Sequence, residues 1–208
     1  MKKFVPLIFF ALFPLISFGQ KNYRQDLGRI AVITFPDTPK TTDLKPGLFY
    51  SVKKDEIVFF ASVSEIHNSF NDHLTKHLID SLYAAVIVGS LKRPDAKLIY
   101  KKNILVDNLK GIEYGFRSQK NLMTYYHYHR VIYINHTLIA YGLTSFDSLK
   151  NNNKELYDFY ATFKVILPHS QISQQTIADA LFNFKTVMWA TIALLAGVLI
   201  IFVIKKLT

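Results

Sequence analysis

Cysteine does not occur in this chain. Its absence excludes disulfides, thiolate metal ligands, a cysteine nucleophile and a diacylglyceryl anchor near the N-terminus. Glycine is sparse, eight residues in 208, and none falls in a phosphate-cradling loop of the Walker or dinucleotide type. There is no G-x-S-x-G elbow and no H-E-x-x-H helix, so two common hydrolase signatures are missing. Acidic residues are outnumbered, with 15 Asp and Glu against 25 Lys and Arg. Asp55-Glu56 is an adjacent acid pair, and it falls in a turn, where solvated charge is the ordinary reading.

Charge-free runs, by contrast, are present at both ends. Residues 186–204 (TVMWATIALLAGVLIIFVI) carry no charge and are closed by Lys205 and Lys206. As a helix this run is about 28 Å long, close to the hydrocarbon thickness of a bilayer. Trp189 stands near one boundary and the lysine pair at the other, as the positive-inside rule expects. At the N-terminus, Lys2 and Lys3 precede a shorter apolar stretch interrupted by Pro6 and Pro14, and Ser17-Phe18-Gly19 supplies small residues for cleavage. These patterns predict a signal peptide (1–19), an extracytoplasmic domain (20–166), a linker and juxtamembrane helix (167–185), a transmembrane helix (186–204) and a cytoplasmic tail (205–208). The expected location is the cytoplasmic membrane of a bacterium, single-pass, with the domain in the periplasm. The bilayer is then one partner, through 186–204. Ala193 and Gly197 would let two such helices approach as a weak homodimer.

Setting aside Lys2, Lys3, Lys205 and Lys206 leaves 21 basic residues against 15 acidic ones, an excess of +6 dispersed along the outer part. No basic stripe appears, and nucleic acid is inaccessible in that compartment. Without disulfides the domain depends on an apolar core, and its length is sufficient for one.

Hydrophobic periodicity reads as mixed α and β. Strands are predicted over residues 29–35, 48–52, 56–63, 97–105, 111–117, 122–134, 137–143 and 162–167, with a tight turn at Asn135-His136. Phe70, Leu74, Leu78, Leu82 and Ala85 recur at helical spacing, with Gly89 as the stop. Asp147 fits the N-cap of a second helix running to about Tyr160. Short connections between neighbouring strands imply an antiparallel sheet with helices covering it.

The order of local motifs carries a resemblance. A strand ends in Phe35-Pro36-x-x-Pro39, and a second carries Phe49-Tyr50-Ser51-Val52 before a long helix. Gly111-Ile112-Glu113-Tyr114, Arg130-x-x-Tyr133, Tyr141 and a closing Phe159-Tyr160-Ala161-Thr162-Phe163-Lys164 follow. Over residues 28–166 this resembles small bacterial exported domains of the PsbP-like fold. The resemblance implies an α+β domain with a six- or seven-stranded antiparallel sheet flanked by helices. It implies no reaction, since fold does not fix function, and members of the group mostly bind or stabilise protein assemblies.

Two clusters could carry chemistry. His73, His77 and Asp80 fall at i, i+4 and i+7 on one side of the predicted helix, a spacing that could offer two imidazoles and a carboxylate to a metal. A solvated polar flank is the ordinary reading of them. In the strand Tyr125-Tyr126-His127-Tyr128-His129-Arg130, alternation puts Tyr126, Tyr128 and Arg130 on one face and the two histidines on the other. Packing of the tyrosines against neighbouring strands is the ordinary reading; Tyr126, Tyr128 and Arg130 are the candidate contact residues, because Tyr and Arg are enriched in interface hot spots. The sequence therefore points to a non-enzymatic, membrane-tethered binding or assembly domain that contacts another envelope protein, with no catalytic residues and no cofactor. A metal-binding protein or metal-dependent enzyme using His73, His77 and Asp80, or an apolar-ligand carrier, are the competing classes.

Overall fold

The computed structural model describes residues 22–45, 47–66, 78–93, 95–148, 154–168 and 170. In chain order its elements are β1 (Tyr23–Leu27), β2 (Ala31–Phe35), β3 (Lys40–Leu44), β4 (Gly47–Lys54), β5 (Ile57–Glu65), α1 (Leu78–Ser90), β6 (Lys97–Val106), β7 (Leu109–Lys120), β8 (Met123–Ile134), β9 (Thr137–Ser145), α2 (Lys154–Ala161) and β10 (Lys164–Val165). Seven strands form one antiparallel sheet in the order β3-β4-β5-β9-β8-β7-β6, and β1, β2 and β10 form a second, three-stranded sheet. β9 is fourth in that order, and all nine of its residues are buried.

Both faces of the large sheet are covered. On one, Ile79, Leu82, Val86 and Ile87 of α1 pack on Phe60, Ile112, Tyr114, Phe116, Val131 and Tyr133. On the other, the small sheet and α2 pack Ile33, Phe35, Leu156 and Phe159 against Phe59, Tyr128, Ile132, Tyr141 and Leu143. The result is three layers, with apolar residues alternating to the two sides of the central sheet.

Several expectations need correcting. β1 and β3 were not anticipated, nor was the separate small sheet. YRQDL and KTTDL are polar and largely exposed edge strands, so they lack the apolar alternation that marks a strand in sequence. The strand expected from Arg29 starts at Ala31, because Gly28 and Arg29 take positive φ (64° and 60°) in the turn after β1. α1 runs through Gly89 to Ser90 instead of stopping at the glycine. The described part of α2 begins at Lys154, and the Asp147 amide donates to Ser145 Oγ at 3.1 Å in a bend outside that helix. The predicted helical residues 70–77, the signal segment and residues 186–204 lie outside the described residues. Among the described residues, no helix is long and apolar enough to cross a membrane.

Glycine has a specific use in the large sheet. Register places Gly142 of β9 between Phe60 of β5 and His129 of β8. With no side chain between them, the two rings meet at 4.7 Å. Gly115 of β7 likewise separates Tyr100 of β6 from Tyr128 of β8, whose rings lie 6.4 Å apart on the opposite face.

The strands give the molecule two poles. One carries the turns at Asp107-Asn108 and Asn135-His136, where the Val165 amide donates to Asp107 Oδ2 and the Ile166 amide to the Ile30 carbonyl. The chain therefore passes beyond β10 at this pole. The other carries the turn at Asn121-Leu122, roughly 40 Å away along the twelve residues of β8, and the turn at Asp55-Glu56 at the end of the shorter β5.

Candidate functional site

β8 organises the polar chemistry of both faces. Toward α2, Glu113 is 0% exposed, and a buried carboxylate requires compensation. Arg130 Nε donates to its Oε2 at 2.7 Å, Lys102 Nζ lies 2.9 Å from Oε1, and Tyr100 OH donates to Oε1 at 3.2 Å. The Arg130 guanidinium stacks 4.1 Å from the centroid of Tyr160. Burial alone would lower the pKa of Arg130, but its bond to Glu113 and the nearby phenols outweigh this and raise it. Burial, followed by the Glu113 charge, raises Tyr100 well out of the ordinary range; burial does the same to Tyr141 and Tyr160.

Toward α1, His127 bridges two hydroxyls, with Ser118 Oγ 2.9 Å from Nε2 and Thr144 Oγ1 2.9 Å from Nδ1. Tyr114 OH lies 3.4 Å from His129 Nδ1 and 2.8 Å from Ser90 Oγ. Burial and then the Arg93 guanidinium push His129 down to about 3. Burial, Arg93 and His129, in that order, hold His127 well below the usual histidine range. The histidines thus move down and the tyrosines up, so neither type is poised for proton transfer near neutral pH.

The expected division of the β8 faces is present, but accessibility differs from a contact surface. Tyr128 is 3% exposed and belongs to the core beneath α2, while Arg130 is occupied by Glu113 and Tyr160. Tyr126 is half-buried at the margin. These side chains hold α2 and the sheet together; of the three, Tyr126 alone is left as a contact residue. His73 and His77 lie outside the described residues. Asp80 is exposed on the first turn of α1, beside a pocket of about 280 Å³ that it lines with Tyr83, Asn103 and Lys110. Among the described residues, no three His, Cys, Asp or Glu side chains are grouped to hold a metal.

Two accessible features lie at the pole of Asp55 and Leu122. An open cleft of about 450 Å³ lies between α2, the end of β2 and the β4–β5 turn. Phe35, Phe59 and Phe159 form its floor, with Phe159 5.6 Å from Phe35 and 5.1 Å from Phe59. Lys54, Asp55, Lys154, Glu155 and Asp158 line it above. The Thr34 amide donates to the Thr162 hydroxyl at 3.1 Å, fixing the end of α2 against β2 at the cleft wall. Beside the cleft stands a hairpin arm. β6 pairs with β7 only as far as Arg117, and β9 pairs with β8 only from Tyr126 onward. Residues 118–125 are therefore paired with one another alone among the described strands. Sequence reasoning missed both features. The cleft joins residues distant in the chain, and Leu122 reads as the first residue of an apolar strand.

No protein-family model matches the chain, and no curated relative matches it in sequence. Among solved structures, it is similar to the solution structure of cyanobacterial PsbP (CyanoP) from Synechocystis sp. PCC 6803. That likeness has 16% identity and a TM-score of 0.48, covering 70% of this chain and 93% of that one. It is also similar to PA94, a protein of unknown function from Pseudomonas aeruginosa. Here identity is 12% and the TM-score 0.36, over 60% of this chain and 82% of that one.

Proposed function

We propose that this chain is a membrane-tethered extracytoplasmic binding domain without a catalytic role, held in the cytoplasmic membrane by residues 186–204 and contacting another envelope protein. One observation carries the reading. The chain passes beyond β10 at the pole of Asp107 and Ile30, opposite the cleft and the hairpin arm. A tail continuing to the bilayer from that pole would leave the cleft and the hairpin arm facing away from it, where a partner can reach them. The tether would also raise the effective concentration of domain and partner in the same envelope.

Site-specific photocrosslinking of the full chain in native membranes tests this. A crosslinker replacing Lys154 at the cleft should capture one defined envelope protein, and the same group at Asn108 should not. Equal capture from both positions, or none from Lys154, would remove the reading.

A further inference from the structure

The β7–β8 turn differs from the turns on either side of it, β6–β7 and β8–β9. Asp107-Asn108 and Asn135-His136 place residues tolerant of the left-handed region where φ is positive. At the β7–β8 turn the pair is Asn121-Leu122, with φ of 51° and 65°. Leucine is disfavoured there on backbone grounds, and its side chain is 102% exposed. Met123 follows at 56% exposure, cross-strand from Lys120. A residue unfavourable on both counts, with nothing among the described residues compensating it, points to a role outside the fold.

The surroundings indicate what the tip meets. From Tyr114 to Phe146 the sequence contains no Asp or Glu, and the arm and its base carry Arg117 and Lys120. The acids bordering the neighbouring strands are Asp95, two residues before Lys97 at the Arg117 register, and Asp147, two residues after Ser145 at the Tyr126 register. Tyr125 and Tyr126 are half-buried at that base. An apolar tip, cations beside it and tyrosines a few residues behind match the layers of a lipid interface: acyl chains, anionic headgroups, interfacial belt. The tip is convex and so enters a soft surface without needing a matching cavity.

We infer that the hairpin arm is a membrane-dipping finger that inserts Leu122 and Met123 into an anionic phospholipid surface presented to the pole opposite the tail. Full burial of one such side chain favours transfer roughly tenfold or more, so two of them with flanking cations give reversible attachment.

The absence of native cysteine makes the test direct. The full chain, as Asn121→Cys carrying an environment-sensitive fluorophore, is placed in phosphatidylcholine nanodiscs and mixed with separate vesicles. Vesicles with about a third phosphatidylglycerol should give a blue shift and intensity gain. Pure phosphatidylcholine vesicles, and the same label at Asn108→Cys, should give neither. Leu122→Asn places a turn-favoured residue at the tip, so it folds at least as well, yet it should weaken vesicle binding by about tenfold. Absence of the shift, an equal shift with neutral vesicles or at Asn108, or unchanged binding by Leu122→Asn would overturn the inference. So would a tip label buried only against a protein, which would assign the arm to a protein partner. The result does not depend on the tether: a chain that fails to stay in nanodiscs would refute the tail's role while leaving the vesicle measurement readable.

Discussion

Arg130 shows how a residue that looks like a contact can be an interior strut. Its charge compensates Glu113, and Lys102, about half exposed, is the other cation on that carboxylate. Removing one partner of a buried pair leaves the other uncompensated, so Arg130→Met should cost about 3 kcal/mol or more, measured by urea unfolding. Adding Glu113→Gln should recover part of that loss; no recovery would mean that the ion pair is not the cause. The histidines give a second residue-scale expectation. Both have folded pKa values below the ordinary value, so the unfolded chain binds more protons as pH falls below about 6.5. Their contribution is fully present above that pH and is lost progressively toward the folded value, about 3 for His129. Thermal unfolding should therefore show a falling melting temperature between pH 7 and pH 5, at a slope of up to about 1.4 kcal/mol per unit per histidine. Replacing both by glutamine should flatten that slope.

Strands and turns differ in how legible they were. β5 through β9 were readable because their apolar alternation or density exceeds what a loop would carry, and Asn135-His136 announced its own turn. β1 and β3 were not, because edge strands need no apolar face. Among the site features, the opposed faces of β8 followed from period two, but their burial did not, since period cannot reveal that α2 covers one face. The glycines separate the strands further. A Cβ at Gly142 would lie 1.9 Å from the Tyr128 carbonyl oxygen, a backbone atom that cannot turn aside. At Gly115 the nearest atom is Tyr100 Cε1 at 2.5 Å, on a side chain of the edge strand β6. Gly142→Ala should thus destabilise by about 2–3 kcal/mol and Gly115→Ala by about 1 kcal/mol, compared by chemical denaturation. Equal costs would mean that the central sheet yields as easily as its edge.

For the whole molecule, orientation is the measurable quantity. With a tag following Thr208, protease added outside spheroplasts should digest the domain and leave the tag protected. A digested tag would reverse the assigned topology.

The pairing of β5 with β9 carries a further consequence, in time instead of space. Ile57 meets Ser145 and Glu65 meets Thr137, so the ladder that joins the sheet's two halves links residues about eighty positions apart. Before β9 emerges, β5 has an open edge, and the β3–β5 hairpins and the β6–β8 strands are separate fragments with unpaired backbone. Such non-local closure makes folding slow and late. During synthesis the domain can complete this sheet only after β9 has emerged, and until then its apolar strands need shielding from one another.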